Sequence, residues 1–245
     1  MERIILMVLH YLLVVPYWWS KISKCAKDTE FQKYSAEERY ELLQKLTTMA
    51  NRAGRVDVQC YGRENLPEEN GYIMFPNHQG LFDSLLFFET HGRPFAVVMK
   101  KEVSNTFLVK QIGAITGSMA MDRSDVRQSM KVIRTVADEV KKGRNFIIFP
   151  EGTRSRQGNT LLPFKAGAFK SAVYAKCPIV PVAILDSYKA FDTHSIKKMT
   201  AQIHYLEPIF YEEYKDMKTS DIAEIVKKRI EDEIKKFDHG KIQIH

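Results

Sequence analysis

The sequence predicts an α/β fold: a mixed, mostly parallel central sheet flanked by helices, preceded by an apolar two-helix segment. Three observations carry that prediction. From Val56 onward, short runs rich in Ile, Val, Phe and Tyr, bounded by Gly, Pro or Asn, alternate with stretches of helical periodicity. Such alternation builds a sheet covered on both faces. Hydrophobic residues make up 44% of the 245 residues and charged residues 27%, a composition that can bury one sizeable core. Finally, the chain opens on IILMVLHYLLVVPYWW, residues 4–19, an apolar run that ends on both tryptophans of the chain.

That run is shorter than the roughly 20 apolar residues a perpendicular membrane span requires, and it carries His10 and Pro16. A secretory signal would start basic and end at a small-residue cleavage site; Met1-Glu2-Arg3 has no net charge and no A-x-A follows. Lys21, Lys24 and Lys27 come next. The pattern fits a helix that dips into one leaflet, with Tyr17, Trp18 and Trp19 at headgroup depth and the lysines on lipid phosphates. A buried core helix is the competing reading. Ser35 with Glu38 forms a capping box that opens a second helix, carried by Leu42, Leu43, Leu46, Met49 and Ala50 and ended near Gly54. Residues 1–54 therefore read as a membrane-docking helical hairpin and 55–245 as the α/β domain.

Within that domain the strands fall at 56–62, 71–76, 94–100, 118–121, 145–150, 178–185 and 201–209. Helical patterns lie at 81–90, 126–143, 165–176 and 220–237. The second of these aligns Val126, Met130, Ile133, Ala137 and Val140, with lysines in its last turn and Gly143 behind it. The last aligns Ile222, Ile225, Val226, Ile230, Ile234 and Phe237.

A formal net charge of +7 points to an anionic partner: nucleic acid, anionic membrane or phosphorylated substrate. The basic residues are dispersed and no recognition-helix pattern occurs, which excludes nucleic acid. Cys25, Cys60 and Cys177 are far apart and form no CxxC pair, so neither a disulfide framework nor a zinc site is expected, and the bias is to a reducing compartment. Cys177 reads as a nucleophile or as a small buried hydrophobe.

FPNHQGLFDS, residues 75–84, sets His78 and Asp83 between two apolar segments. Loops beyond the carboxyl ends of parallel strands carry chemistry, and Asn77-His78 follow a strand directly. On one continuous helix, residues five apart diverge by about 140°. If the helix starts near Gly80 or Leu81, His78 lies in the preceding turn and can fold back onto Asp83. A carboxylate on one ring nitrogen fixes the tautomer and raises the basicity of the other, which makes a general base. A helix-capping histidine beside a solvated aspartate is the alternative.

FIIFPEGTRSRQG, residues 146–158, likewise leaves a strand and enters a loop. It lacks P-loop spacing, so nucleotide binding is a poor fit. Amides near Gly152, the Thr153 hydroxyl and the Arg154 fork suit a phosphate, and Asp122-Arg123 after the 118–121 strand offers a second arginine.

With these motifs the sequence resembles the glycerolipid acyltransferases. NHQGLFD matches their N-H-x4-D motif and FPEGTRS their F-P-E-G-T-R-S motif; GSMAMDR and IVPVAI resemble two further blocks, all in family order. The resemblance covers about residues 57–190 and departs from the family at Met119 and Met121. It implies transfer of a fatty acyl group from acyl-CoA or acyl-carrier protein to the sn-2 hydroxyl of lysophosphatidic acid, giving phosphatidic acid for phospholipid biosynthesis. His78 would be the general base and Asp83 its orienting acid. Lys100, or its amide, would face the oxyanion. Arg123 and Arg154 would hold the acceptor phosphate, with Glu151, Gly152 and Thr153 shaping the loop and Glu151 pairing with an arginine. Leu81, Phe82, Leu85, Leu86, Phe107 and Leu108 are candidates to line an acyl channel. No metal and no bound cofactor are expected. The partners would be the bilayer, lysophosphatidic acid and the acyl thioester, at the cytoplasmic face of a bacterial inner membrane. Two alternatives stand: an acyltransferase using glycerol-3-phosphate or another lysophospholipid, and a non-catalytic peripheral membrane protein.

Overall fold

Seven strands form one sheet in the order β1-β7-β6-β2-β5-β3-β4. The structure, a computed structural model, describes residues 2–238; residue 1 and residues 239–245, the end of the 55–245 reading, lie outside the described residues. The strands are β1 (Val56–Tyr61), β2 (Ile73–Pro76), β3 (Phe95–Lys100), β4 (Met119–Met121), β5 (Asn145–Ile148), β6 (Ile179–Leu185) and β7 (Met199–Tyr205). Five of the six pairings are parallel; only β6 and β7 run antiparallel. Each expected strand is present. The last is shorter than expected: it ends at Tyr205, and Ile209, just after Pro208, returns only as an isolated bridge to Ile179.

The central strands β2, β5 and β6 are buried on both faces, and β2 and β6 read as continuous apolar runs. Along β2 and its approach, Tyr72 and Met74 enter one core while Ile73 and Phe75 enter the other, the period-two alternation of a strand. On the first face lie α2 (Val15–Lys27), α3 (Ala36–Ala53) and α4 (Asp83–Thr90), which contributes Leu86, Phe87 and Phe88. On the second lie α7 (Val126–Lys141), α8 (Lys170–Ala175) and α11 (Thr219–Asp238). The α11 stripe is the one its periodicity predicts, with Ile222, Val226, Ile230 and Ile234 buried; on α7 Ile133, Ala137 and Val140 are buried as expected, but Val126, the first residue of the helix, is 74% exposed, and Val132 and Val136 fill the face instead.

The N-terminal run departs from the single helix expected of it. It breaks into α1 (Glu2–His10) and α2, bent by 100°. Pro16 stands in the first turn of α2, where its missing N–H is tolerated; as an interior residue of one long helix it would break the ladder. Among the described residues no single helix is long and apolar enough to cross a membrane. Arg3 is 2% exposed and pins α1 to the body. Its guanidinium donates to the carbonyls of Ala190 at 3.1 Å, Ser195 at 2.8 Å and Lys197 at 3.0 Å, and also to that of Gly54. At the bend, Leu12 is 57% and Leu13 94% exposed. The capping box of α3 forms as expected, with Glu38 N–H donating to Ser35 Oγ and Ser35 N–H to Glu38 Oε2.

Four short helices escape the periodicity reading: α5 (Lys101–Ser104), α6 (Phe107–Thr116), α9 (Tyr188–Phe191) and α10 (Tyr211–Tyr214).

Candidate active site

Parallel pairing puts the carboxyl ends of β6, β2, β5, β3 and β4 at one edge of the sheet. Ser187 follows β6, His78 follows β2, Glu151 to Arg154 follow β5, Lys100 ends β3 and Arg123 follows β4. All the expected site residues thus gather at one end of the fold. Three adjacent strands, β6-β2-β5, supply the centre. At ~4.8 Å per strand, Lys100 starts about 10 Å and Arg123 about 14 Å from the β2 axis.

His78 and Asp83 meet. His78 Nδ1 lies 2.7 Å from Asp83 Oδ2, with Asp83 fully buried and the His78 side chain 22% exposed. Helix α4 begins at Asp83 itself, so the Gln79–Phe82 turn folds the histidine back as its spacing requires. Asp83 also accepts from Gln79 N–H at 2.8 Å and Gly80 N–H at 3.1 Å, and from the hydroxyl of Ser187. Because a carboxylate only accepts, Nδ1 carries the hydrogen and Nε2 keeps a free lone pair. The Phe149 ring lies 4.1 Å from the imidazole, centroid to centroid, and holds its plane.

Asp83 is anchored by residues that sequence reasoning missed. Gln79, 1% exposed, accepts from Ser187 N–H at 2.9 Å and donates to Asn159 Oδ1 at 2.8 Å and Ile184 O at 3.0 Å. Ser187 is presented by Asp186, whose φ of +62° turns the chain sharply at the end of β6. Asn77 sets the loop in a definite way: it exchanges two hydrogen bonds with the backbone of Ile184, at 2.9 and 2.7 Å, and so locks the end of β2 to β6.

Glu151 does not pair with an arginine. Its Oε1 accepts from His78 N–H at 2.7 Å and its Oε2 from Leu162 N–H at 3.1 Å. It is 2% exposed, and burial pushes its carboxyl above the ordinary range against the opposing pull of those two donors. Ser155 N–H donates to His78 O at 2.9 Å, so the 151–155 loop holds both backbone groups of His78. Gly152 has a φ of +75° and turns this loop. Thr153 is exposed, and no group among the described residues accepts from the Arg154 guanidinium.

Lys100 and Arg123 share that end of the sheet but make no contact with the His78–Asp83 pair. Lys100 pairs with Glu102 at 3.1 Å on the surface, and Lys101 with Asp122 at 3.3 Å; neither ammonium contacts His78. Arg123 is exposed. The candidate acyl-channel residues do not form a channel: Phe82 and Leu86 are wholly buried in the core, while Leu81, Phe107 and Leu108 are 53%, 72% and 51% exposed. The amphipathic pattern carried no information on which side of α4 and α6 would meet a neighbour. An open cleft of about 310 Å3 lies instead beside α6, lined by Met99, Val109, Gly113, Ala114 and Ala120, with Lys110 among its polar residues. Cys177 is a buried hydrophobe: it is 5% exposed, and burial pushes its thiol up to about 12, which removes it as a nucleophile.

A histidine with a free Nε2, oriented by a buried carboxylate beside unpaired cations, can strip a proton from a hydroxyl and hold an anionic substrate. Known proteins resemble this chain in sequence and in fold. The acyltransferase family model matches residues 57–185, more than half of the chain, from β1 to the end of β6. The chain is 30% identical over 194 residues to a Saccharomyces cerevisiae protein named 1-acyl-sn-glycerol-3-phosphate acyltransferase, covering 76% of this chain and 62% of that one. Against the protein of the same name from Salmonella typhimurium it is 29% identical over 182 residues, covering 74% of each. The crystal structure of the 1-acyl-sn-glycerophosphate (LPA) acyltransferase PlsC from Thermotoga maritima superposes with a TM-score of 0.75 over 97% of both chains at 21% identity, a likeness of fold. On its motifs, its strand order and the reach of that family match, the chain belongs to the acyltransferase family.

Proposed function

We propose that this protein transfers a fatty acyl group from an acyl thioester, acyl-CoA or acyl-carrier protein, to the sn-2 hydroxyl of lysophosphatidic acid. The observation that carries the reading is the 2.7 Å contact between His78 Nδ1 and Asp83 Oδ2, beside a loop whose Arg154 has no acceptor among the described residues. The names of the relatives supply the substrate class.

In the reaction, Nε2 of His78 takes the hydroxyl proton as the alcohol oxygen attacks the thioester carbonyl carbon. General-base help of this kind contributes about 10²–10⁴-fold. Asp83 stabilises the imidazolium while Gln79, Gly80 and Ser187 hold the carboxylate in place. The C–O bond forms, the C–S bond breaks, and the thiolate leaves with the proton returned by Nε2. The acceptor is itself the nucleophile, so no acyl-enzyme is required. Arg154 and Arg123 hold the phosphate, and the backbone amide at Lys100 faces the oxyanion. Residues 1–54 dock the enzyme on the cytoplasmic leaflet, with Leu12 and Leu13 entering the lipid and Lys21, Lys24 and Lys27 at its phosphates; residues 55–245 carry the chemistry.

The test is a panel of acceptors and donors with purified protein in bilayers. Phosphatidic acid from lysophosphatidic acid is the expected product. Preference for glycerol-3-phosphate, or for a lysophospholipid with a larger headgroup, would replace this acceptor; no transfer to any acceptor would remove the reading.

A further inference from the structure

Gly152 stands beside the outer end of the exposed Lys165 side chain. A Cβ built there would lie 2.9 Å from Lys165 Nζ, 3.1 Å from its Cε and 3.3 Å from its Cδ. The outer half of the Lys165 side chain therefore runs along the 151–154 loop, in the space a residue at 152 would fill. Its backbone is fixed at that spot. Lys165 N–H donates to Pro150 O at 2.9 Å and its carbonyl accepts from Ala168 N–H at 3.0 Å. Phe164 and Phe169, 7% and 0% exposed, anchor the chain on either side.

The ammonium has nothing to hold. Among the described residues no carboxylate or carbonyl accepts from Lys165 Nζ. The acid of the loop, Glu151, already spends both oxygens on His78 N–H and Leu162 N–H. Among the described residues the amides of Thr153 and Arg154 also have no acceptor, and the Arg154 guanidinium has none either. Two free amides after a left-handed glycine, a guanidinium and an ammonium laid over the same turn make a donor set with no protein acceptor.

We propose that Lys165 is a ligand of the acceptor's phosphate monoester, a third cation of that subsite beside Arg154 and Arg123. The proposal rests on the reading of the 151–154 loop as a phosphate site. An ammonium is a compact point charge, suited to one oxygen of a dianion while an arginine fork takes two others.

The test uses the full chain in mixed micelles. Lys165→Met is expected to raise KM for lysophosphatidic acid about tenfold to a hundredfold, the loss of one charge-assisted hydrogen bond, with kcat changed less than KM. Lys165→Arg should recover most of the loss, and Lys165→Glu should deepen it. In a second arm that needs no turnover, inorganic phosphate should raise the melting temperature of the wild type and of Lys215→Met, a lysine paired at the surface with Glu212, more than that of Lys165→Met. An unchanged KM overturns the assignment, and so does a loss of kcat at constant KM, which marks a structural role. If the wild type fails to acylate lysophosphatidic acid, the reaction reading falls and the phosphate arm alone decides Lys165: equal shifts overturn it.

Discussion

Ser187 gives its hydroxyl hydrogen to Asp83 Oδ1 while the His78 ring occupies Oδ2, so one buried carboxylate ties the ends of β6 and β2 together. Ser187 Oγ has a single hydrogen. Gln79 Oε1, 3.0 Å away, is already served by Ser187 N–H, so the charged acceptor takes it. The carboxylate that aims the imidazole is thus aimed in turn by a residue more than a hundred positions downstream.

Ser187→Ala should therefore lower kcat about tenfold, with a smaller change in KM, as one charge-assisted hydrogen bond is lost from the orienting acid. Ser187→Thr keeps the hydroxyl and should restore most of the rate. Steady-state kinetics of both variants decide this; equal losses in Ser187→Ala and Ser187→Thr would mean that packing, and not the hydroxyl, matters at this position.

Arg154→Ala should act on the acceptor alone. Its guanidinium makes no hydrogen bond or ion pair among the described residues, so its removal breaks none. KM for lysophosphatidic acid should rise by about tenfold or more while KM for the acyl thioester stays within about twofold. A kinetic matrix varying both substrates separates the two.

Leu12→Asp with Leu13→Asp should release the protein from vesicles without unfolding it. Both side chains are exposed at the α1–α2 bend and touch no core, and burying each in lipid is worth about 1.5–3 kcal/mol, so partitioning should fall about a hundredfold or more. Flotation with anionic liposomes reads the partitioning and a melting curve reads the fold. Undiminished flotation would place the lipid contact elsewhere on the molecule.

His91 sets part of the acid limit of stability. It is 1% exposed, its Nε2 lies 2.7 Å from Tyr72 Oη, and its Nδ1 donates to Arg93 O at 2.8 Å. Burial lowers its pKa from 6.5 to about 4. A base with a depressed folded pKa binds fewer protons folded than unfolded, so its contribution is intact above pH 6.5 and is lost as pH falls through about 4. The shift corresponds to about 3 kcal/mol over that window. Urea unfolding from pH 7 to 4 should show a shallower loss of stability in His91→Gln than in the wild type; parallel curves would mean that another group titrates there.

The centre of the sheet was legible because β2 and β6 are apolar runs bounded by Gly, Pro or Asn, and Met74 and Phe75, on opposite faces, are both fully buried. The dyad was legible because His78 and Asp83 lie five residues apart, so one local turn decides whether they touch. Ser187 and Gln79 were not, since a serine and a glutamine acquire a role only when β6 lands beside β2, a pairing across 108 residues. The partners of Glu151 were hidden for the same reason: a glutamate three residues before Arg154 reads as an ion pair, and its true partners are backbone amides, which leave no mark in a sequence. The break in the N-terminal run was signalled by Pro16, but the depth at which Arg3 is buried was not, because its acceptors are four carbonyls.

The central claim is that the Nε2 lone pair of His78 takes the acceptor's proton. The most direct measurement is phosphatidic acid formation by wild type and His78→Ala in bilayers holding lysophosphatidic acid, with melting curves on both. The account predicts a loss of about 10²–10⁴-fold in kcat with the melting temperature unchanged. Turnover by His78→Ala within about threefold of the wild type would contradict it, because the reaction would then have no use for the base on which the mechanism stands.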